Sequence, residues 1–287
     1  MFKIAVASGK GGTGKTTVAT NLTHYLAQTK PILLADMDVE EPDSHIFVAG
    51  ELWQEKKLYK EVPTLIEDRC NSCGICKQVC AFNAITLLGK KVIFFNELCH
   101  SCYACVELCP QKAIEMKLQF LGDLTHIKDG NLTFLEARLE IGQEQAVPLI
   151  KKSFAYINEN IDAEIGIIDS PPGSSCPVVE TVKNCDYVIL VTEPSPFGLN
   201  DLKIAVETVQ LLKKEFAIVI NKDDGEENII KDYCRKENHA LIAAIPEKQS
   251  IAELYSRGSL IYQEDADFKA EMVKIGDKIA ALMKGRK

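Results

Sequence analysis

The sequence predicts an α/β fold, a mostly parallel sheet with helices on both faces, interrupted by a small α+β module. Three observations predict it. Short apolar runs recur along the chain, separated by helix-length segments, the pattern of buried parallel strands joined by crossover helices. A glycine-rich loop stands between the first of these runs and a segment of helical period. Between about Val62 and Met116 the alternation stops, and eight of the eleven cysteines fall there. A chain of 287 residues has room for one large core with a smaller module set into it. The expected division is a main domain of residues 1–61 and 117–287 around an insert of residues 62–116.

Taken in order, FKIAVA at residues 2–7 reads as the first strand. After the glycine loop, TTVATNLTHYLAQ places Val18, Leu22, Tyr25 and Leu26 on one helical face. PILLADMD supplies a second buried strand ending in carboxylates, EIGIIDSPPG a third, YVILVTEP a fourth and FAIVINKDD a fifth. LTHIKDGNLTFLEARL has period-2 character around Asp129-Gly130-Asn131, which predicts a hairpin. From about Asp267 the last segment is an amphipathic helix with Phe268, Met272, Ile275, Ile279 and Leu282 on one side. Such a face packs on the sheet or, helped by the terminal MKGRK, lies on a membrane surface.

Composition narrows the functional classes. Hydrophobic residues make up 46% of the chain and charged residues 26%, ordinary for a folded globular protein. A formal net charge of −8 argues against a nucleic-acid binder, which needs a surface rich in lysine and arginine. No apolar run is long enough for stable membrane insertion, and MFKIAVASGKGG turns polar too early for a signal peptide. The expected location is cytoplasmic, where disulfides are rare, so the cysteines are first ligands or free thiols.

Gly9-Lys10-Gly11-Gly12-Thr13-Gly14-Lys15-Thr16 fits GxxxxGK[ST] between a strand and a helix. Glycines let backbone N–H groups approach phosphate oxygens, Lys15 reaches the β- and γ-phosphates, and the Thr16 hydroxyl faces Mg²⁺. The ATP-facing stretch is therefore Gly11, Gly12, Thr13, Gly14, Lys15, Thr16 and Thr17. Asp169 ends another apolar run, and beside a phosphate loop it is a candidate for holding Mg²⁺ through water. The pair Asp36 and Asp38 ends the second run; carboxylates there also serve as caps.

The lysine at the second loop position, in KGGTGKTT, resembles the deviant Walker A loop of the MinD/ParA superfamily of P-loop ATPases, which includes the nitrogenase iron protein. VTEPSPFGLNDLK, from Val191 to Lys203, shares that resemblance. The resemblance implies a nucleotide-dependent homodimer in which Lys10 reaches the partner's ATP; on its own, Lys10 could be a solvated loop lysine. It also implies that Asp38 orients the attacking water, that Asp36 supports Mg²⁺ and the loop, and that Gly173 senses the γ-phosphate. Asn221 would contact adenine and Pro246 would cover the base. With Lys10, Lys15 and Asp38 as the catalytic residues, hydrolysis is expected to be slow and coupled to another event.

Three readings compete for CNSCGICKQVC. Zinc favours paired C-x2-C units with a longer gap, and disulfides suit another compartment. The observed C-x2-C-x2-C-x3-C is the spacing that holds [4Fe–4S] clusters. It occurs twice: Cys70, Cys73, Cys76 and Cys80 recur 29 residues on as Cys99, Cys102, Cys105 and Cys109, and CAFNAI is echoed by CPQKAI. The insert thus resembles the bacterial two-cluster ferredoxin. That resemblance implies one cluster on Cys70, Cys73, Cys76 and Cys109, and another on Cys99, Cys102, Cys105 and Cys80. Cys80 is followed by Ala81 where the pattern has proline. Of the other cysteines, Cys176 reads as a small buried thiol or as a transient ligand or coupling residue near the second switch, and Cys185 and Cys234 as packing residues. His100 reads as solvated.

Together these readings predict an ATP-gated electron-transfer protein with two [4Fe–4S] clusters, Mg²⁺ and ATP, serving an unidentified redox donor and acceptor. The alternative is an iron–sulfur scaffold or carrier that serves an apo-protein. A third reading is a positioning ATPase with structural clusters.

Overall fold

The computed structural model describes residues 1–285; Arg286 and Lys287, part of the basic terminus, lie outside the described residues. The chain divides into two compact units. One comprises Met1–Glu55, Leu124–Arg138 and the chain from Ile150 onward; the other comprises Lys56–Asp123 and Leu139–Leu149.

The elements run β1 (Phe2–Ala7), α1 (Lys15–Ala27), β2 (Ile32–Asp36), β3 (Glu51–Leu65), α2 (Ile75–Val79), β4 (Ile85–Leu88), β5 (Lys91–Phe94) and α3 (Ala104–Glu107). They continue β6 (Ile114–Asp129), β7 (Leu132–Leu139), α4 (Ala146–Asn160), β8 (Ile165–Asp169), α5 (Cys176–Lys183), β9 (Tyr187–Thr192), α6 (Pro196–Leu211) and β10 (Glu215–Asp223). The chain ends in α7 (Ile229–Lys236), β11 (Leu241–Pro246), α8 (Gln249–Ser256), α9 (Ile261–Glu264) and α10 (Ala266–Lys284). Nine strands form one sheet in the order β11-β10-β9-β1-β8-β2-β7-β6-β3.

The apolar runs become the centre of this sheet. β2, β8 and β9 are buried along their whole length, and β1 lies parallel between β8 and β9. Parallel strands covered on both faces leave no position for a polar residue except at the strand ends, where the carboxylates fall. Register then sets the functional geometry: Asp36 of β2 and Val6 of β1 both stand opposite Asp169 of β8. The switch in strand order around β1 opens a crevice beyond the carboxyl ends, the usual ligand position in such sheets.

β6 and β7 are sheet neighbours joined through Gly130 and Asn131, as the period-2 pattern predicts. Gly130 has φ +56°, the left-handed conformation that such a tight connection requires. Phe268, Met272, Ile275 and Ile279 of α10 are buried in the core with Val18 and Leu22 of α1. The amphipathic face therefore packs on the sheet. Among the described residues no helix is long and apolar enough to cross a membrane.

The second unit repeats itself with the 29-residue period of the sequence. Left-handed backbone recurs at Ser72 and Ser101, at Gly74 and Tyr103, and at Asn83 and Lys112. The Ile66 amide donates to the Ala113 carbonyl, and the Phe95 amide to the Ala84 carbonyl, both at 2.8 Å. Each half is thus closed by the other. The core around the cysteines is small: Cys76, Ile85, Val92, Cys105 and Ile114 are its buried members. A core of that size calls for additional cross-links, which metal–thiolate bonds supply.

Candidate functional site

β1 delivers the chain to the glycine loop, and Gly14, at φ +90°, starts α1. A Cβ at Gly14 would stand 2.2 Å from Asn221 Nδ2, so any other residue here must adopt a left-handed backbone and displace that side-chain amide. Asn221 lies at the end of β10 and donates from Nδ2 to the Thr13 carbonyl at 2.8 Å. It holds the loop in shape, a role beyond the adenine contact expected from the sequence. Pro246 ends β11 opposite Asp223. Gly173 has φ +89°, and its amide donates to the Ser8 carbonyl at 2.9 Å, tying the second predicted switch to the loop.

The first turn of α1 contains no acidic residue, so its free N–H groups and the positive end of the helix dipole face the loop. Lys15 and Thr17 are buried there. The Thr16 hydroxyl donates to Asp169 Oδ2 at 2.6 Å, and the Ser44 hydroxyl to the same oxygen at 3.4 Å. Asp36 accepts from the backbone N–H groups of Asp38, Asp43 and Ser44 at 3.0, 3.1 and 3.0 Å. Asp36 thus shapes the segment that follows β2, the capping behaviour that carboxylates at a strand end can show.

Three carboxylates converge in this crevice. Single oxygens of Asp36, Asp43 and Asp169 lie within 4.8 Å of one another. Burial pushes Asp36 up to about 7, and burial together with the Asp36 charge holds Asp169 well above the usual carboxylate range. Burial also lifts Asp38 to about 6, against the pull of Lys15. Such a group is stable when protonated or when a cation sits among the oxygens. Asp169 Oδ1 is buried without a hydrogen-bond partner, and the donors around it are hard oxygens, the ligand type that suits Mg²⁺. The residues therefore fit the ion. Asp43 and Ser44 were not expected from the sequence; the acidic run EEPDSH after Asp38 was the available signal.

Lys10 forms an ion pair with Glu193, which also accepts from Lys222 at 3.4 Å. The Lys10 hydrogen bond, with the charges of Lys10 and Lys222, holds the Glu193 carboxyl below its ordinary value despite partial burial. Glu193 lies in VTEPSPFG, quoted for the family likeness but not singled out as the partner of Lys10. Cys176 is exposed, which removes the small-buried-thiol reading: it starts α5 just after the Gly173 turn, at the surface. Cys185 and Cys234 are buried as expected.

The clustered cysteines line two separate cavities. Cys70, Cys73, Cys76 and Cys109 line one; Cys80, Cys99, Cys102 and Cys105 line the other. Each set takes three thiols from one half and the fourth from the other, because the halves close on each other. The Ser72 and Ser101 amides donate to Cys70 Sγ and Cys99 Sγ, both at 3.4 Å. As a bare thiol Cys105 is pushed up to about 11, chiefly by burial, so its thiolate requires a positively charged partner. Four convergent thiols, three from one half and the fourth from the other, fit the ligand set of a [4Fe–4S] cluster.

Comparisons with known proteins bear on the nucleotide-binding fold. Residues 4–261 match the profile of the CobQ/CobB/MinD/ParA nucleotide binding domain. The uncharacterized protein MJ0579 of Methanocaldococcus jannaschii is 30% identical over 254 residues, covering 83% of this chain and 91% of its own length. An iron–sulfur cluster carrier protein of Pyrococcus horikoshii is 24% identical over 231 residues, covering 76% of this chain and 60% of its own length. Among solved structures, the septum site-determining protein MinD of Pyrococcus horikoshii, complexed with Mg-ADP, superposes with a TM-score of 0.61 at 17% identity. That superposition covers 98% of this chain and 97% of that one.

Proposed function

Because the chain belongs to the CobQ/CobB/MinD/ParA family of nucleotide-binding domains, we propose that it hydrolyses ATP to gate electron transfer through two [4Fe–4S] clusters. The observation that carries this reading is the crossed pair of cysteine cavities. With ligands from both halves, each cluster would be a cross-link of the module, and releasing one would undo the closure that surrounds it. Resident clusters of this kind suit electron transfer better than delivery. When bound, such clusters take up and release single electrons.

In the nucleotide site the α1 N-terminus, Lys15 and the backbone of Gly11–Gly14 bind phosphate oxygens. Thr16 and Asp169 would hold Mg²⁺, which when bound would supply charge neutralisation at the phosphates. Asp38, half-buried and close enough to feel the Lys15 charge, orients water for in-line attack on the γ-phosphate, and the bond to ADP breaks as the P–O bond to water forms. Lys10 reaches the phosphates of a second copy once it leaves Glu193, which makes the homodimer nucleotide-dependent. Asp36 links the site to the segment entering β3, since it grips the amides of Asp43 and Ser44.

The test is anaerobic purification of the full chain, with electron paramagnetic resonance of the reduced protein with and without Mg-ATP. Clusters that survive repeated dithionite reduction and reoxidation, with ATP shifting a midpoint potential or the rate to an acceptor, support the proposal. Ready transfer of clusters to an apo-protein sinks it in favour of a carrier. That second reading is favoured by the likeness to proteins named iron–sulfur cluster carriers, and by the exposure of Cys73 and Cys102 at the cavities.

A further inference from the structure

The two cysteine cavities are near copies in backbone, yet one lies beside a buried charge. The Ser72 hydroxyl donates to the Lys90 carbonyl at 2.6 Å, and Ser101 makes the matching bond to the Glu61 carbonyl at 2.5 Å. The equivalence fails one residue earlier. Lys60 is 3% exposed, while its counterpart 29 residues on is Gly89, an exposed turn residue with no side chain. Among the described residues, Lys60 is the one buried charged side chain between Lys56 and Asp123.

Its ammonium shares a carbonyl acceptor with a cysteine of the second set. Lys60 Nζ donates to the Asn96 carbonyl at 3.0 Å, and that same carbonyl accepts the Cys99 amide at 3.2 Å. Burial lowers the Lys60 pKa, and negative charge at Cys99, Glu97 and Glu144 opposes that shift. One neutral contact opposes the asymmetry: the Ala113 amide donates to Cys109 Sγ of the first set at 3.3 Å. An amide dipole is a partial charge and an ammonium a full one, and burial leaves the ammonium poorly screened. Charge close to a cluster is among the factors that set its potential.

We propose that Lys60 makes the two cluster pockets electrically unequal, so that an electron entering the module comes to rest in the pocket of Cys80, Cys99, Cys102 and Cys105. The inference rests on the electron-transfer reading above and gives it a direction. With clusters bound, an electron supplied by a one-electron donor would settle on the group held by the Cys99 set, with no proton moved and no bond broken.

The test is a redox titration of the full chain with dithionite, followed by electron paramagnetic resonance, with iron content measured alongside. Wild type should give two one-electron waves. Lys60→Met should lower the upper wave alone, by the ~59 mV that a tenfold redistribution corresponds to for one electron, and Lys60→Arg should restore it. Equal shifts of both waves, or none, overturn the proposal. Independently of that variant, Cys73→Ala and Cys102→Ala each remove an exposed ligand from one pocket and assign the waves. If the upper wave responds to Cys73→Ala, the proposal fails while two resident clusters still stand. A chain that binds no iron overturns the functional reading itself.

Discussion

Glu193→Gln should strengthen ATP-dependent self-association, because Glu193 holds the lysine that a second copy needs. In the single chain Lys10 is paired with Glu193, at side-chain exposures of 33% and 19%. An ion pair at that depth lies between an exposed pair, worth about 0–1 kcal/mol, and a charged hydrogen bond of about 1.5–3 kcal/mol. Each copy of the dimer releases one such lysine, so taking about 1 kcal/mol per pair, the loss of both lowers the apparent dissociation constant of the ATP-bound dimer roughly thirtyfold. Lys10→Ala must act in the opposite direction, since it removes the group itself. Sedimentation of wild type and both variants with a non-hydrolysable ATP analogue reads both effects. Unchanged association in Glu193→Gln removes the latch, and unchanged association in Lys10→Ala removes any role for Lys10 across an interface.

Without Mg²⁺ and nucleotide, stability should fall as pH rises. Asp36 and Asp38 are raised from 3.8 to about 7 and about 6. Their favourable contribution is therefore complete below about pH 4 and lost as pH climbs to about 7; denaturant melts across that window check it, and Mg-nucleotide should flatten the slope. Gly14→Ala forces a side chain into φ +90° and against Asn221, costing about 1–2 kcal/mol of left-handed strain and about 1 kcal/mol for the Asn221–Thr13 bond. Nucleotide binding measured by calorimetry should disappear while the circular dichroism of the fold persists. Cys109→Ser should abolish the cluster of the Cys70 set, and Cys80→Ser that of the Cys99 set, each leaving about half the wild-type iron; retention of both clusters by iron analysis and spectroscopy contradicts crossed ligation.

The strands that carry the nucleotide site were legible because each is a continuous apolar run ending in a functional residue: FKIAVA before the loop, ILLAD, IGIID and the run to Asn221. The hairpin at Gly130 was legible from period 2 and a turn pair. β11 was harder, since LIAAIP is short and half exposed on one edge of the sheet. β3 was invisible as an element because its first seven residues are exposed, with Trp53 63% accessible. An edge strand facing solvent has no hydrophobic pattern to read. The exposure of Cys176 was equally out of reach, since SSCP has no period that separates a buried thiol from a surface one.

The sequence by itself determined the phosphate loop, the two sets of four cysteines and the 29-residue repeat, because each depends on spacing along the chain. Pairing across the chain was decided by tertiary structure. Register brought Asp169 opposite Asp36, folding of the following segment added Asp43 and Ser44, and strand order set Glu193 against Lys10. The same holds for Lys60, whose distance in sequence from Cys99 gives no hint of a shared carbonyl. Local spacing is fixed by covalent geometry, whereas these contacts exist only after the chain has closed and water has been excluded from between them.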